Sequence, residues 1–218
     1  MSNFLLGFGF IWAVLAPLLL VAAVVLVARL LRQRSARPWL LAALLVLGPV
    51  ALIYGWDRWE FTKLCESLGE PKVLEQRAVD GVVLDSPTAN SFGMRYLQEE
   101  GFTWIEARDI YRPGGWRRYT READGRISDM PIDALTATVV VTETHEQRER
   151  ASIMRTEVRE RSGDRLLARG ANANFTGGRA KWVLGAWGTA GCPAPGSAAW
   201  ADHYHLARNT AAKGTKQR

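Results

Sequence analysis

Two long stretches without a charged residue dominate the start of this chain, and any fold must keep them away from water. The first runs from Phe4 to Ala28, twenty-five residues rich in Leu, Val and Ala. That exceeds the roughly 20 residues a helix needs to cross ~30 Å of hydrocarbon. Pro17 lies inside it and is expected to kink the helix. The second runs from Pro38 to Trp56, nineteen residues, with Trp39 at one end and Tyr54, Trp56 and Trp59 at the other. Such aromatic side chains suit the two interfaces of a bilayer. A buried core helix would explain either stretch alone, but two runs joined by a short Arg-rich hinge fit poorly inside a domain of this size. A cleaved signal peptide needs positive charge before its apolar segment, whereas the first charge here is Arg29. The expectation is a two-helix transmembrane hairpin over residues 1–59.

Orientation follows from the hinge, residues 29–37, which carries Arg29, Arg32, Arg34 and Arg37 and no acid. Positive charge stays on the cytoplasmic side. Two crossings then put both termini, and everything after Trp56, on the far side. The expected location is a bacterial inner membrane with both termini and the main domain periplasmic, and this is a deduction from charge.

The formal net charge of +6 invites a nucleic-acid reading until it is divided by region. The hinge contributes four positives, and the end of the chain adds Arg208, Lys213, Lys216 and Arg218. Between residues 39 and 205 stand twenty basic and twenty-two acidic residues, a balance of −2. A phosphate-binding surface needs a clustered excess of Lys and Arg, so nucleic acid is rejected as a partner. Residues 194–218 are expected to be a flexible, solvated basic tail.

Cys65 and Cys192 are the two cysteines, and both fall on the oxidising side of the deduced topology. An even count in that compartment argues for a disulfide. No C-x-x-C is present and no histidine lies near either cysteine, which disfavours a redox or metal pair.

Between them, over residues 60–193, the patterning predicts an α+β periplasmic domain, mainly antiparallel sheet with one helix. Lys72–Val79 and Val82–Leu84 are expected as strands joined near Asp80-Gly81. Ser86 can cap a helix, Pro87 fits its first position, Ala89, Phe92, Tyr96 and Leu97 form its apolar stripe, and Gly101 stops it. Strands follow at Phe102–Ala107 and Trp116–Glu122, the latter leading into a hairpin turn at Asp124-Gly125. The clearest alternation starts at Leu135, where Leu135, Ala137, Val139 and Val141 share one face. Ile153–Glu160 and Arg165–Asn174, turned at residues 162–164, complete three successive antiparallel strands. Trp182–Trp187 closes the domain.

This order of features resembles a family of small proteobacterial inner-membrane or envelope proteins that has no assigned activity. The resemblance rests on Cys65 followed by Lys72-Val73-Leu74-Glu75, then Gly101-Phe102-Thr103-Trp104-Ile105-Glu106, Tyr119 with Asp124-Gly125, Gly177-Gly178 and the closing Cys192-Pro193. It spans most of residues 65–193. Leu68-Gly69-Glu70 departs from the Gly-rich turn that often follows the first cysteine in that family. What the resemblance implies is an exported β-rich domain stapled by its two cysteines; it brings no catalytic residues and no known ligand.

Residues that could carry chemistry are sparse. His203 and His205 flank Tyr204, and Asp202 is the only further ligand nearby, so a polar tail explains them better than a metal site. His145 is expected at a solvated strand end, and Glu99-Glu100 at a solvated helix end. Nucleophile elbow, P-loop and zincin patterns are missing. Catalytic, cofactor-binding and metal residues are therefore assigned to none, and no cofactor is expected. Trp104, Trp116, Trp182, Trp187 and Trp200 are read as core, with a ligand platform as the alternative. The expected function is a noncatalytic membrane-anchored module that binds an envelope protein in an accessory or immunity-type role. A lipid or other envelope-ligand binding domain is the second reading, and a hydrolytic enzyme the third.

Overall fold

The computed structural model describes residues 18–32, 38–109, 114–184 and 189–211. The upstream part of the first apolar run, Arg34 and Arg37, Trp187 and the last basic residues of the chain lie outside the described residues. The chain divides into two compact units. One comprises Met1–Ser67, Gln147–Ser152 and Ala173–Cys192, and the other Leu68–Glu146, Ile153–Asn172 and Pro193–Arg218.

In the first unit, α1 (Leu18–Leu31) and α2 (Pro38–Leu68) carry the apolar sequence. At 1.5 Å per residue, the thirty-one residues of α2 extend roughly 46 Å. It is the one helix among the described residues long and apolar enough to cross a membrane, and only 6% of its most apolar window is buried. Leu40, Leu44, Leu45 and Leu52 are 58%, 65%, 63% and 76% exposed. Ala28 of α1 and Ala42 of α2 are buried, small side chains of the kind that let helices approach closely. Pro49 sits inside α2 and cannot donate to the carbonyl one turn before it.

The far end of α2 is apolar on its packed side and meets the end of a strand. Phe175 packs against Tyr54 and Phe61, ring centroids 6.0 and 5.3 Å apart. Residues 173–176 pair antiparallel with a short strand, Thr189–Cys192, from Ala173↔Cys192 to Thr176↔Thr189. Between them lie a 3-10 turn (Gly178–Ala180) and a short helix, α3 (Lys181–Leu184). Cys65 and Cys192 form a disulfide with Cα atoms 5.9 Å apart, tying the last turns of α2 to that strand.

The second unit carries most of a mixed sheet. Its strands are β1 (Lys72–Val73), β2 (Gly81–Leu84), β3 (Trp104–Arg108), β4 (Trp116–Arg121), β5 (Ile127–Ile132), β6 (Val139–Gln147), β7 (Ala151–Glu160) and β8 (Arg165–Thr176). They lie in the order β1-β8-β7-β6-β2-β3-β4-β5, with Thr189–Cys192, hereafter β9, pairing β8. The three long strands β6, β7 and β8 are the successive neighbours that the alternation predicts. The sheet, expected to be mainly antiparallel, is mixed: at its centre β2 runs parallel to both β3 and β6. The cause is local: a helix, α4 (Ser86–Gln98), carries the chain from β2 back to the start of β3, and a crossover of that kind returns a strand in parallel.

Helix α4 begins one residue earlier than the Ser86 cap predicts. Asp85 is the cap, accepting from the Thr88 N–H at 3.3 Å and the Thr88 hydroxyl at 2.7 Å. One side of the sheet packs Val82, Leu84, Ile105, Ala107, Val139 and Val141 into a core with Tyr96, Leu97 and Phe102. Fully burying each large side chain contributes about 1.5–3 kcal/mol, so this cluster accounts for much of the unit's cohesion.

Two expectations fail together at the edge of this core. The strand predicted over Lys72–Val79 shrinks to two residues, and the tail predicted over 194–218 instead contains α5 (Ala198–Tyr204) and α6 (Leu206–Ala211). Ser197 caps α5 by accepting from the Trp200 N–H at 3.1 Å. Leu206, Ala207 and Ala211 complete the core. The Arg77 and Val79 amides donate to the Thr210 and Ala211 carbonyls at 2.7 Å each, so the would-be strand residues pair with a helix end. A segment that buries this much apolar surface and satisfies backbone groups is structural, and the expectation of one helix followed by a flexible tail is corrected accordingly.

The disulfide gives a direct test. Neither Cys65 nor Cys192 should be alkylated in the nonreduced native protein, and Cys192→Ser should lower the thermal midpoint and raise protease sensitivity. With the cysteines 127 positions apart in sequence, the loss approaches ~5 kcal/mol in the chain-entropy account.

Candidate functional site

Three groups of polar side chains are held in defined geometry, each within one unit. In the first unit the centre is Asp57, a buried carboxylate near the end of α2's apolar run. Its oxygens accept from the Arg179 N–H at 2.7 Å and from the Arg179 guanidinium at 2.8 and 3.1 Å. Arg150 adds a further ion pair to Asp57 at 3.4 Å and another to Glu60. The close approach is set by Gly178, which adopts φ +56 and lies so near that a Cβ would stand 2.4 Å from an Asp57 oxygen. A recess of about 230 Å³ opens beside this network, walled by Phe61, Leu64 and residues 148–151. Buried carboxylates need partners of this quality to repay desolvation, and Asp57 has them.

In the second unit the first group lies on the sheet face away from α4. Glu106 of β3 is completely buried. It accepts from the Thr136 N–H at 3.0 Å, the Ala137 N–H at 3.1 Å, the Thr136 hydroxyl at 2.9 Å and the Arg118 guanidinium at 2.6 Å. Burial works to raise the Glu106 pKa, but the Arg118 guanidinium and the Ala137 and Thr136 donors outweigh it and hold the carboxyl below its ordinary 4.5. Arg118 is thereby fixed with its guanidinium 4.5 Å from the Trp104 ring centre, and Arg108 lies 5.1 Å over Trp116.

The second group gathers around Arg95 of α4. Its guanidinium lies 4.1 Å over the Tyr204 ring and 3.7 Å from Glu100, a carboxylate that is itself buried. His205 Nδ1 approaches Glu100 at 3.1 Å, and the Tyr204 hydroxyl donates to Glu99 at 3.0 Å. Burial raises the Glu100 pKa, with Arg95 and His205 offsetting only part of the effect. Glu143, buried beside the Tyr96 hydroxyl at 3.5 Å, is likewise pushed up by burial. His203 packs on β8 where Gly170 has no side chain, since a Cβ there would meet its Cδ2 at 2.8 Å. Burial, with the Arg95 charge adding to it, lowers the His203 pKa to about 4.

The sequence-derived residues fall unevenly across this map. Cys65 and Cys192 meet, while Arg29 and Arg32 are exposed around the end of α1. His203, His205 and Glu100 depart from the solvated ends expected of them and enter a packed constellation instead. The reason is α5, whose turn carries His203 inward and places His205 against α4. His145 is exposed on β6, as a solvated strand-end residue should be. Asp57, Glu106 and Arg95 were missed. The faint signals were a single acid directly after an apolar run and a Glu inside Trp-Ile-Glu-Ala, where alternation alone puts it on a solvated face. No group of three or more His, Cys, Asp or Glu side chains among the described residues is placed to hold a metal ion.

Compared with family models, with curated proteins and with solved structures, the chain matches none.

Removing the Asp57 carboxylate leaves the Arg179 amide and guanidinium without their acceptor. Asp57→Ala should cost about 1–3 kcal/mol, read by chemical denaturation. The titrations give a second test. Glu106, with its folded pKa depressed, contributes stability that is present above 4.5 and lost as pH falls through the folded value. His203 acts in the same direction, its contribution complete above 6.5 and lost as pH falls through about 4. Glu100 and Glu143, raised by burial, oppose this by favouring the fold at acid pH. His203→Gln should therefore flatten the loss of stability between pH 6.5 and 4, by roughly 3 kcal/mol at most.

Proposed function

We propose that this chain is a membrane-anchored module: α1 and α2 form a hairpin through a bacterial inner membrane, and the sheet domain acts in the periplasm by binding an envelope protein. The observation that carries the reading is the surface of α2. Its leucines turn outward along a helix of spanning length. Exposing them to water forgoes about 25 cal/mol for each Å² of apolar area, whereas hydrocarbon accepts them without that penalty. Trp39 stands at one end of this surface and Trp56 and Trp59 at the other, all three exposed, about 30 Å apart along the axis at 1.5 Å per residue. That separation suits two interfacial belts.

The arginine hinge supports a cytoplasmic turn, and the disulfide supports an oxidising compartment for the domain. A binding role, in the accessory or immunity-type sense, is favoured over catalysis because the buried carboxylates Asp57 and Glu106 are engaged by internal donors. The resemblance to small proteobacterial envelope proteins supports export of the domain.

Two measurements test the proposal. A reporter fused after Arg218 should be active only when the fusion faces the periplasm, and cytoplasmic activity would overturn the topology. Purification of the full chain from solubilised membranes should bring down one envelope protein in stoichiometric amount. Copurifying lipid with no protein would support the second reading, a lipid-binding domain.

A further inference from the structure

Strand register puts an unusual set of side chains on one face of the second unit. Gly81 pairs with Trp104, Glu106 with Arg118, Arg108 with Trp116, and across the next ladder Arg118 with Met130 and Trp116 with Ile132. Paired residues share a face, and α4 covers the other one, where Val82, Leu84, Ile105 and Ala107 point. The face away from α4 therefore carries Trp104, Arg108, Trp116, Arg118, Met130 and Ile132, with Arg108 and Met130 exposed and the other four half-buried. Met130 is 54% exposed, and β5, which carries it, is the last strand of the sheet order.

This face is preorganised. The Trp104 ring lies against the β2 backbone because Gly81 offers no side chain; a Cβ there would stand 2.2 Å from the ring. Arg118 is locked over that ring by Glu106, which also neutralises its charge. The Arg108 guanidinium lies over Trp116, 5.1 Å from its ring centre, and has no carboxylate partner among the described residues. A stacked guanidinium keeps its N–H edge in plane and ready for a bidentate carboxylate, and ordering it beforehand lowers the entropic cost of pairing. Trp, Arg and Met are also the residue types that concentrate in interface centres.

Resting on the anchored-module reading above, we propose that this Trp–Arg face, bordered by β5, docks an acidic extended segment of the protein partner, with a partner carboxylate seated on Arg108 and apolar neighbours on Trp116, Met130 and Ile132. Charge complementarity selects this occupant. One uncompensated guanidinium within an aromatic setting fits a single carboxylate, whereas an anionic lipid surface is recognised by clusters of Lys and Arg.

The test uses the full chain in uncharged phosphatidylcholine nanodiscs and a fluorescein-labelled peptide of alternating Asp and Val residues. The same peptide with Lys in place of Asp is the control. Saturable anisotropy is expected with the acidic peptide only. Arg108→Glu should weaken binding by about tenfold or more, and Arg126→Glu, at the exposed hairpin tip, should leave it unchanged. Equal binding of both peptides, no binding of the acidic one, or full affinity in Arg108→Glu overturns the proposal. So does competition by phosphatidylglycerol vesicles as strong as that of unlabelled peptide, which would assign the face to lipid. A photoreactive residue at Met130 should crosslink to the copurifying protein, and one at Leu74 should not. If a stoichiometric protein still copurifies with Arg108→Glu, the anchored-module reading stands and the face is wrong. If the peptide binds but no protein copurifies, the face stands and the reading falls.

Discussion

A carboxylate with no exposure ends the apolar run of a helix whose leucines are left outside, and the first unit depends on that contrast. Asp57 is the point where α2 stops presenting apolar surface outward and starts engaging protein, through the Arg179 amide, its guanidinium and Arg150. Phe61 and Cys65 follow one and two turns later, each with its own partner in Phe175 and Cys192. Three anchors spaced by four residues lie along one side of the helix, so the packed stripe begins where the apolar run ends. Because the Asp57 site needs Gly178 in a left-handed conformation, the Gly177-Gly178 pair is a requirement of the carboxylate and more than a turn signal.

The parts of the fold that the sequence announces are those dictated by neighbours. The apolar run of α2, the Ala137-Val139-Val141 alternation and the Pro87 start of α4 all need only local periodicity or local chemistry, and each is found close to its expected place. What stayed hidden depends on contacts across long separations. Glu106 reads as a solvated strand residue until the Thr136 and Ala137 amides close over it. The parallel pairing of β2 with β6 joins residues 83 and 140, and no local pattern encodes it. α5 and α6 were hidden by composition: their Ala-rich, weakly periodic sequence carries few large apolar residues, and within these two helices Leu206 alone supplies a large buried apolar side chain.

The tryptophans show how one residue type divides by context. Trp56 and Trp59 meet in a tilted pair, ring centroids 5.5 Å apart, and are exposed, whereas Trp104 and Trp116 are half-buried and each receives a guanidinium. Composition could count these rings but could not separate them. Register could, because Gly81 stands opposite Trp104 and Arg108 opposite Trp116, and pairings of this kind decide which ring rests on backbone and which on charge. The constellation around Arg95 belongs to a different order of organisation, since α5 and α6 bring His203, Tyr204 and His205 to residues more than a hundred positions earlier.

The position of Cys192 ahead of α5 and α6 separates two closures in time. During synthesis the second cysteine appears before the residues that finish the core, so covalent linkage to Cys65 can occur while Leu206, Ala207 and Ala211 have yet to arrive. A chain cut short after Cys192 would then carry an intact bridge over an unfinished domain. An intact bridge is thus no measure of a finished fold, and a shortened product would pass a thiol assay while leaving bare the core surface that α6 covers.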